Sequence, residues 1–349
     1  MPSHSSCLKE TLKMNHHALG ASGLKVSALW LGTMMFGDRT DETEAARIVD
    51  SAREAGVNAI DTANMYAGGE SERITGRLIQ ADRDRWVLAS KVANATGTGP
   101  NDRCLSRRHI MQAVDASLQR LGTDWIDVLY MHREDETTPM EESVAAMATL
   151  IERGKIHHYG VSNFRAWRIA RMVEFCRAQG LPQPIVCQPP YNAMSRAIET
   201  ELLPCCAHFG VGVVAYSPLA RGVLSGKYLP GQSPPDDSRA ARNDRRIMQT
   251  EFRPESLLLA QRLADRARER GVTPSQFALA WVLNNRLVNG VIGGPRTLAQ
   301  WDEYLGAVEV EFDPEDEALV DSLVAAGHAS TPGYTDPMYP VTGRMPRRL

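Results

Sequence analysis

The sequence predicts an eight-stranded parallel β/α barrel, the (β/α)8 or TIM barrel. Short apolar segments rich in β-branched residues alternate with amphipathic segments along most of the 349-residue chain, a pattern typical of a parallel sheet covered by helices. Polar residues that directly follow the apolar segments recur every 26 to 41 residues between Asp61 and Tyr216, about the length of one strand and one helix with their loops. Eight apolar segments can be counted, which is the number of strands that closes this barrel.

The predicted elements begin with a β-hairpin. Within HHALGASGLKVSALWLG, residues Gly20 to Gly23 form a turn between two short alternating runs that lead into a buried first strand. The eight predicted barrel strands lie in SALWLGT, VNAI, WVLASKV, IDVLYMH, HHYGVSN, IVCQPPYN, VGVVAYS and LVNGVIGG. Amphipathic segments predict helices at residues 41–55, 107–121, 140–154, 164–179, 196–209 and 255–270. Gly68 to Glu72 are interpreted as a turn and the start of a further helix.

The barrel is predicted to be a single domain that spans residues 14–325. Residues 1–13 are expected to be a disordered extension, and residues 326–349 a flexible tail that follows a C-terminal helix in FDPEDEALVDSL. The 77 residues between Tyr216 and Gly293 must hold a helix and a long excursion, which SGKYLPGQSPPDDSRAARNDRR supplies. No GxGxxG follows any predicted strand, which argues against a Rossmann domain, and a doubly wound open sheet remains the alternative fold.

Composition and charge narrow the class of protein. Hydrophobic residues make up 43% of the chain and the formal net charge is -3, so neither a nucleic acid partner nor membrane association is expected. The six cysteines form no CxxC pair and are interpreted as reduced thiols of a cytoplasmic protein. Cys205 and Cys206, with His208 close by, could bind a metal, but apolar packing in a helix is the favoured interpretation and no metal is predicted.

Four residues with useful chemistry follow consecutive predicted strands: Asp61, Tyr66, Lys91 and His132. Each alone has a structural interpretation, as a helix cap, a packing residue, an ion-pair partner or a satisfied core histidine. The carboxyl ends of barrel strands meet at one mouth, so the four side chains are expected to converge. Lys91 can stabilise the phenolate of Tyr66, whose ordinary pKa is about 10, while Asp61 holds the ammonium. With His132 polarising a carbonyl, this arrangement predicts protonation of a carbonyl oxygen by Tyr66.

The group that attacks the carbonyl carbon must come from outside this set. No Ser-His-Asp order, GxSxG or reactive cysteine is visible, so a hydride from a nicotinamide is expected. The remaining strand ends offer carboxamide partners, an aromatic ring for stacking and two cations for phosphates: Ser162, Asn163 and Gln188; Tyr216; Arg221 and Lys227. Thr33 and Met34, which end the first strand, could contact the cofactor or line the barrel, and both interpretations stay open.

Several segments together carry a resemblance to a known family. They are LGASGLKVSALWLGTMMFG, DTANMYAGGESERITGRLI, ASKV, DVLYMHRED, GKIHHYGVSNF, QPPYN, YSPLARGVLSGKY and VIGGPRTLAQWDEYLG. Over roughly residues 14–325 the chain resembles the aldo-keto reductases, which are NADPH-dependent (β/α)8 enzymes. It looks most like the branches that include bacterial and fungal reductases and the potassium-channel β subunits.

The resemblance implies a catalytic tetrad and a set of cofactor contacts. The tetrad falls on Asp61, Tyr66, Lys91 and His132, with Tyr66 as the general acid. Contacts with NADPH or NADP are expected from Thr33, Met34, Asp61, Ser162, Asn163, Gln188, Tyr216, Ser217, Pro218, Leu219, Arg221, Gly222, Lys227, Gly294, Arg296, Gln300 and Glu303. The guanidinium of Arg296 suits the 2′-phosphate and so favours NADP over NAD. Tyr304 stands where the family often has Asn, which puts that adenine contact in doubt.

The resulting hypothesis is an NADPH-dependent reductase that converts a small-molecule aldehyde or ketone into an alcohol. The alternative is a regulatory or partner subunit that binds the cofactor but turns over little substrate. A third hypothesis is a metal-dependent barrel hydrolase. It is disfavoured because the strand ends offer one His and one Lys instead of a cluster of metal ligands. The particular carbonyl substrate, the direction of the reaction and the oligomeric state have no readable signature in the sequence.

Overall fold

The structure, a computed structural model, describes residues 14–331 together with 336, 338 and 339. Within that part of the chain, eight parallel strands close into a barrel, and helices surround it. The predicted fold class is therefore confirmed. The predicted extension at residues 1–13 and most of the predicted tail lie outside the described residues.

The strands coincide with the apolar segments of the sequence. An antiparallel pair comes first and the eight barrel strands follow: β1 (His16–Ala18), β2 (Lys25–Ser27), β3 (Leu29–Gly32), β4 (Ala59–Asp61), β5 (Val87–Val92), β6 (Ile126–Met131), β7 (Ile156–Ser162), β8 (Val186–Gln188), β9 (Gly212–Ala215) and β10 (Gly290–Gly293). Strand β10 pairs with both β9 and β3, which closes the sheet on itself.

The helices lie between and after these strands. They are α1 (Glu42–Glu54), α2 (Glu70–Ile79), α3 (Arg107–Leu121), α4 (Met140–Glu152), α5 (Ala166–Gln179), α6 (Leu202–Phe209), α7 (Arg245–Gln249), α8 (Pro254–Glu269), α9 (Pro274–Asn284), α10 (Leu298–Leu305) and α11 (Pro314–Leu323). Polar caps fix several of the starts, since Asp41 accepts a bond from the backbone of Glu44 and Ser106 accepts one from that of His109. None of the helices in the described part of the chain is long and apolar enough to cross a bilayer.

One predicted helix begins later than expected. The segment 196–209 starts with a single 3₁₀ turn, Ala197–Glu199, and becomes α-helical only at Leu202. Pro204 explains the difference, because proline has no backbone N–H and is tolerated in the first turn of a helix but not in its interior. The excursion after β9 also holds a short helix, α7, that has no clear amphipathic signal in the sequence.

The hairpin formed by β1 and β2 lies against the amino-terminal ends of the barrel strands. Gly20 has φ +58°, and a Cβ there would lie 2.5 Å from the carbonyl oxygen of Ile185, just before β8. The backbone N–H of Ala21 donates to the carbonyl of Gly210, just before β9. The side chain of Leu19 is fully buried and belongs to the cluster that fills the barrel. The hairpin therefore covers the end of the barrel opposite to the carboxyl ends of the strands.

Alternation along the strands decides which side chains point into the barrel. Trp30, Val87, Ala89, Val128 and Tyr130 belong to a buried cluster of the barrel interior, separate from the larger core beneath the helices. Successive side chains of a strand point to opposite faces. The residues two positions beyond the last inward-facing side chains of β5 and β6 therefore also face inward, at the carboxyl-terminal mouth.

Candidate active site

The structure brings the four predicted tetrad residues together at the carboxyl-terminal mouth of the barrel. Asp61 ends β4, Lys91 lies near the end of β5, and His132 directly follows β6. Lys91 pairs in register with Tyr130 of the neighbouring strand, and His132 lies two residues beyond Tyr130. Lys91 and His132 therefore both face inward, near the ends of neighbouring strands. Tyr66 comes from the 3₁₀ turn that follows β4.

Lys91 is the centre of the hydrogen-bond network at the mouth. Its side chain is 1% exposed, and its ammonium donates to the Asp61 carboxylate, to the Thr62 carbonyl at 2.7 Å and to the Tyr66 hydroxyl at 3.2 Å. Burial alone would lower the pKa of Lys91, but the charge of Asp61 and the bond to Tyr66 outweigh burial and raise it. The ammonium is therefore charged and in contact with the phenol.

The phenol of Tyr66 holds its proton at neutral pH. Burial raises the pKa of Tyr66, and the nearby Asp61 charge adds to the effect, although the Lys91 ammonium acts in the opposite direction. A protonated phenol beside a fixed cation can donate its proton to an oxygen and leave a phenolate that the cation stabilises.

His132 is held as a neutral imidazole. Burial lowers its pKa well below the ordinary value, and the positive charges of Lys91, Arg246 and Arg133 lower it further. Its ring meets that of Tyr66 edge to face, with the centroids 6.0 Å apart. Its Nδ1 lies 3.0 Å from the side-chain amide of Asn94, a residue that was not singled out in the sequence.

The predicted carboxamide partners form one connected group beside the tetrad. Gln188 donates from Nε2 to Asp61 Oδ2 at 2.8 Å, and the Ser162 hydroxyl donates to the Gln188 carbonyl at 2.8 Å. Asn163 adopts a positive φ of 59° and accepts a 2.7 Å hydrogen bond from the Tyr216 hydroxyl. These residues are brought together at the ends of β7, β8 and β9, and their contact with a cofactor stays a prediction.

The segment after Tyr216 is a tight turn that contains several residues in the left-handed region. Ser217 and Arg221 have positive φ values of 57° and 55°, and Gly222 has φ +99°. A Cβ on Gly222 would lie 2.8 Å from the Lys227 ammonium. Pro218 and Leu219 belong to the same turn, and nest-like turns of this kind present backbone N–H groups to phosphates. The Arg221 side chain itself binds Glu251 and Asp336.

A cluster of cations lies at the predicted adenosine end. Burial lowers the pKa of Lys227, and the charges of Arg296, Arg239 and Arg242 lower it further. A carboxylate, that of Asp237, lies against the cluster.

Asp237 binds Arg39, Arg242 at 2.8 Å and Arg296 at 3.0 Å. These three partners hold the pKa of Asp237 at about 2. Three arginines share the single negative charge of Asp237, so positive charge remains unneutralised there. This set of donors therefore fits phosphate groups.

The other residues predicted to hold the adenosine lie near this cluster. Gln300 accepts a 2.8 Å hydrogen bond from the backbone N–H of Arg296, and the carbonyl of Glu303 accepts one from Gln276. Gly294 follows β10, and a Cβ there would meet nothing within 4 Å, so its surroundings are open. Tyr304, where the adenine contact was in doubt, has a buried side chain.

The two residues that follow β3, Thr33 and Met34, differ in the solvent exposure of their side chains. Thr33 is fully buried, and its hydroxyl contacts the Asp61 carbonyl and the Ser71 hydroxyl. The side chain of Met34 is 41% exposed. Of the two, Met34 is the one whose side chain is free to contact a ligand.

Several residues of the site were missed in the sequence. Asn94 follows β5 by two residues, so the strand-end rule that identified Lys91 could have found it. Arg239 and Arg246 lie in the excursion, and Asp336 and Tyr339 lie in the tail, where no periodic pattern indicates a position. Asp336 binds Arg246 at 3.2 Å, and the Arg246 guanidinium lies 5.9 Å from the centroid of the Tyr339 ring.

No metal centre is indicated in the region that the structure describes. No group of three or more His, Cys, Asp or Glu side chains there has an arrangement that could hold a metal ion. Cys205 and Cys206 lie on α6, and the five cysteines in the described range are free thiols.

Comparison with known proteins identifies the family. The model of the Aldo/keto reductase family matches residues 28–325. A probable voltage-gated potassium channel subunit beta of Arabidopsis thaliana is 40% identical over 302 residues, which cover 85% of this chain and 92% of that protein. An uncharacterized oxidoreductase, YrpG, of Bacillus subtilis (strain 168) is 34% identical, with 91% of this chain and 98% of the relative covered.

A third relative has a more specific description. The L-glyceraldehyde 3-phosphate reductase of Escherichia coli O157:H7 is 34% identical over 330 residues, which cover 90% of this chain and 94% of the relative. The family model spans most of the barrel, and each of these relatives is matched over nearly its whole length. The chain belongs to the aldo/keto reductase family.

Proposed function

We propose that the protein is an NADPH-dependent oxidoreductase that reduces an aldehyde or ketone to an alcohol. The observation that carries the proposal is the contact between the Tyr66 hydroxyl and the Lys91 ammonium at 3.2 Å, with that ammonium held by Asp61. This contact gives a phenol the two properties of a general acid, a proton to donate and a cation that stabilises the anion left behind.

Each tetrad residue has a separate task in this reaction. NADPH, when bound, supplies a hydride to the carbonyl carbon. Tyr66 donates its proton to the carbonyl oxygen as negative charge develops there. Lys91 stabilises the resulting phenolate, and Asp61 keeps the ammonium in place. His132, a neutral imidazole, offers an N–H to the same oxygen and so orients the carbonyl.

The preference for NADPH over NADH is inferred from the cation cluster. Arg242 and Arg296 bind one exposed carboxylate, that of Asp237, and the charges of Arg296, Arg239 and Arg242 all act on Lys227. A 2′-phosphate is a stronger partner for guanidinium groups than a single carboxylate, because it carries more charge and more acceptor oxygens. The cofactor would then run from the mouth along the turn after Tyr216 to this cluster.

Two relatives support a reductase. One is described as a reductase of L-glyceraldehyde 3-phosphate, which is an aldehyde, and another as an oxidoreductase. We therefore infer that the substrate of this chain is a small carbonyl compound.

The second candidate is a regulatory subunit that binds NADPH with little turnover. Relatives from Arabidopsis thaliana, Oryza sativa subsp. japonica and Schizosaccharomyces pombe are described as probable or putative potassium channel β subunits. The complete tetrad favours the reductase, because a protein that only binds the cofactor has no need for a proton donor.

The test compares wild type, Tyr66→Phe and Tyr159→Phe for NADPH oxidation with a reactive aromatic aldehyde. Tyr159 is a matched control, since its buried hydroxyl donates to the Pro182 carbonyl at 3.0 Å and takes no part in the tetrad. Loss of the proton donor is expected to lower kcat by about a hundredfold or more, with the dissociation constant of NADPH unchanged. Tight NADPH binding by wild type without turnover of any carbonyl in a broad panel would instead favour the regulatory subunit.

A further inference from the structure

Asn94 lies at the catalytic mouth, and its position is fixed by an unusual backbone. The preceding residue, Ala93, has φ +147°, a conformation that residues with a Cβ rarely adopt. The carbonyl of Ala93 accepts a 2.8 Å hydrogen bond from the backbone N–H of Cys104, which holds this turn in place. The side chain of Asn94 thereby reaches His132, with its Nδ2 3.0 Å from the imidazole Nδ1.

His132 is held on its backbone as well as on its ring. The backbone N–H of His132 donates to the Val92 carbonyl at 2.9 Å, and its backbone carbonyl accepts from the side-chain amide of Asn163 at 3.0 Å. These two bonds fix the position of the residue at the end of β6. Neither bond reaches the imidazole, so they leave open which ring nitrogen carries the proton.

A neutral imidazole has one nitrogen that donates and one that accepts. Since burial and the nearby cations keep the His132 ring neutral, a donor placed against Nδ1 requires the ring proton to be on Nε2. The amide of Asn94 is such a donor. With Nδ1 occupied, Nε2–H is the ring group that can reach a carbonyl oxygen.

We infer that Asn94 is a positioning residue that fixes the Nε2–H tautomer of His132, so that the imidazole presents an N–H to the substrate carbonyl. The inference rests on the proposed reductase function, which needs a hydrogen-bond donor at that oxygen. It also extends that function, because the orienting group lies two residues after β5, the strand that carries Lys91. One strand and the loop that follows it therefore supply both the cation for the phenol and the partner that orients the imidazole.

A purely structural role for Asn94 makes different predictions. A residue that only holds the loop after β5 would affect stability and cofactor binding, but not the protonation of one ring nitrogen. Asn94→Asp separates the two roles, because a carboxylate only accepts hydrogen bonds and so requires a proton on Nδ1. Asn94→Ala removes the partner without replacing it. Asn101→Asp is the matched control, since Asn101 is exposed in the same loop.

The first measurement is nitrogen NMR of protein labelled with ¹⁵N-histidine and saturated with NADP. The resonances of His132 are assigned by their loss in His132→Gln. In wild type at mildly alkaline pH, Nε2 is expected to be protonated and Nδ1 unprotonated. Asn94→Asp is expected to place a proton on Nδ1, while Asn94→Ala gives a mixture of tautomers and Asn101→Asp leaves the wild-type pattern. A wild-type ring protonated on Nδ1, or a pattern unchanged in both Asn94 variants, overturns the inference.

The second measurement links the tautomer to the reaction. In steady-state reduction of an aldehyde, Asn94→Ala and Asn94→Asp are expected to lower kcat about tenfold or more, with the NADPH dissociation constant within about twofold of wild type. A changed tautomer with unchanged kcat overturns the catalytic part of the inference. Wild type that turns over no carbonyl would count against the proposed function alone, and the NMR result would still decide whether Asn94 sets the tautomer.

Discussion

Asp61 and Lys91 form a buried ion pair, so stability and the proposed activity depend on the same two side chains. Both are almost completely shielded from solvent, and each has further partners, since Gln188 donates to Asp61 and the Thr62 carbonyl accepts from Lys91. A buried charge is tolerated when it is paired and hydrogen-bonded, but it is costly once its partner is removed. The pair therefore has a structural role in addition to its proposed catalytic role.

Lys91→Met is expected to destabilise the protein by about 3–5 kcal/mol, because it leaves the Asp61 carboxylate buried without its cation. The double variant Asp61→Asn/Lys91→Met is expected to regain much of this stability, since an amide can still accept the hydrogen bond from Gln188. Chemical denaturation measures both values, and NADPH oxidation should be lost in both variants. If the double variant lost as much free energy of unfolding as Lys91→Met and Asp61→Asn lose when their separate losses are added, the pair would have no coupling energy.

The raised pKa of Tyr66 predicts the pH dependence of the reaction. Carbonyl reduction needs the protonated phenol, and a pKa raised above its ordinary value keeps the proton in place until the pH exceeds about 10. The value of kcat/KM for reduction is therefore expected to stay flat from about pH 7 to about pH 9, whereas alcohol oxidation, which needs the phenolate, should rise with pH. Both pH profiles can be measured by nicotinamide absorbance. A reductive rate that falls already between pH 7 and pH 9 would contradict the assignment of Tyr66 as the acid.

At the scale of elements, the barrel and its mouth could be predicted because each strand can be recognised from its own short stretch of sequence. Apolar segments mark the strands, and the polar residue at the end of each segment marks the mouth, as Asp61, Lys91 and Gln188 illustrate. The break before α6 also has a local cause in Pro204, although the sequence was interpreted there as one continuous helix. These features depend on short stretches of chain, which is why the sequence reveals them.

Helices α2 and α3 pack so closely that their contact admits no side chain at Gly76. A Cβ there would lie 2.1 Å from the Leu121 carbonyl oxygen. Gly76→Ala should gain about 1 kcal/mol in helix propensity but lose about 1–3 kcal/mol or more from the overlap, because a backbone carbonyl has little freedom to move. We expect a net loss of stability in chemical denaturation. Arg77→Ala, at the neighbouring position, removes only exposed ion pairs with Glu42 and Glu70 and should cost less than about 1 kcal/mol. A stabilised Gly76→Ala would show that the two helices can separate without cost.

At the scale of the whole molecule, the adenosine end of the site is assembled from distant segments. Arg39 follows β3, Arg296 follows β10, and Asp237 and Arg242 lie in the excursion after β9. Arg296 could be assigned from the sequence because it lies in VIGGPRTLAQWDEYLG, one of the segments that resemble the aldo-keto reductases. Arg239 and Arg246 could not, because the excursion has no periodicity and its position depends on contacts with residues far away in the chain. The same reason accounts for Asp336 and Tyr339.

Asp237→Asn is expected to bind NADPH several-fold more tightly than wild type. The Asp237 side chain is 62% exposed and binds three arginines, two of which, Arg242 and Arg296, belong to the proposed cofactor site, so removing its charge removes a competitor for the phosphates. The effect should be smaller for NADH, which lacks the 2′-phosphate, and should weaken at high salt. Fluorescence titration of both cofactors measures the change, with the neighbouring Asp236→Asn as control. Weaker binding by Asp237→Asn would mean that the carboxylate organises the arginines for the cofactor.

The closure of the barrel restricts how other proteins can associate with this one. In an open sheet, the outermost strands present unpaired N–H and C=O groups to which another chain can add a strand. Here β10 pairs with β3, so no barrel strand within residues 14–331 has a free edge. The hairpin strands, which do have edges, are three residues long. A partner chain that binds the barrel within residues 14–331 would therefore contact helices and loops, with specificity from side chains instead of addition of a strand to the barrel.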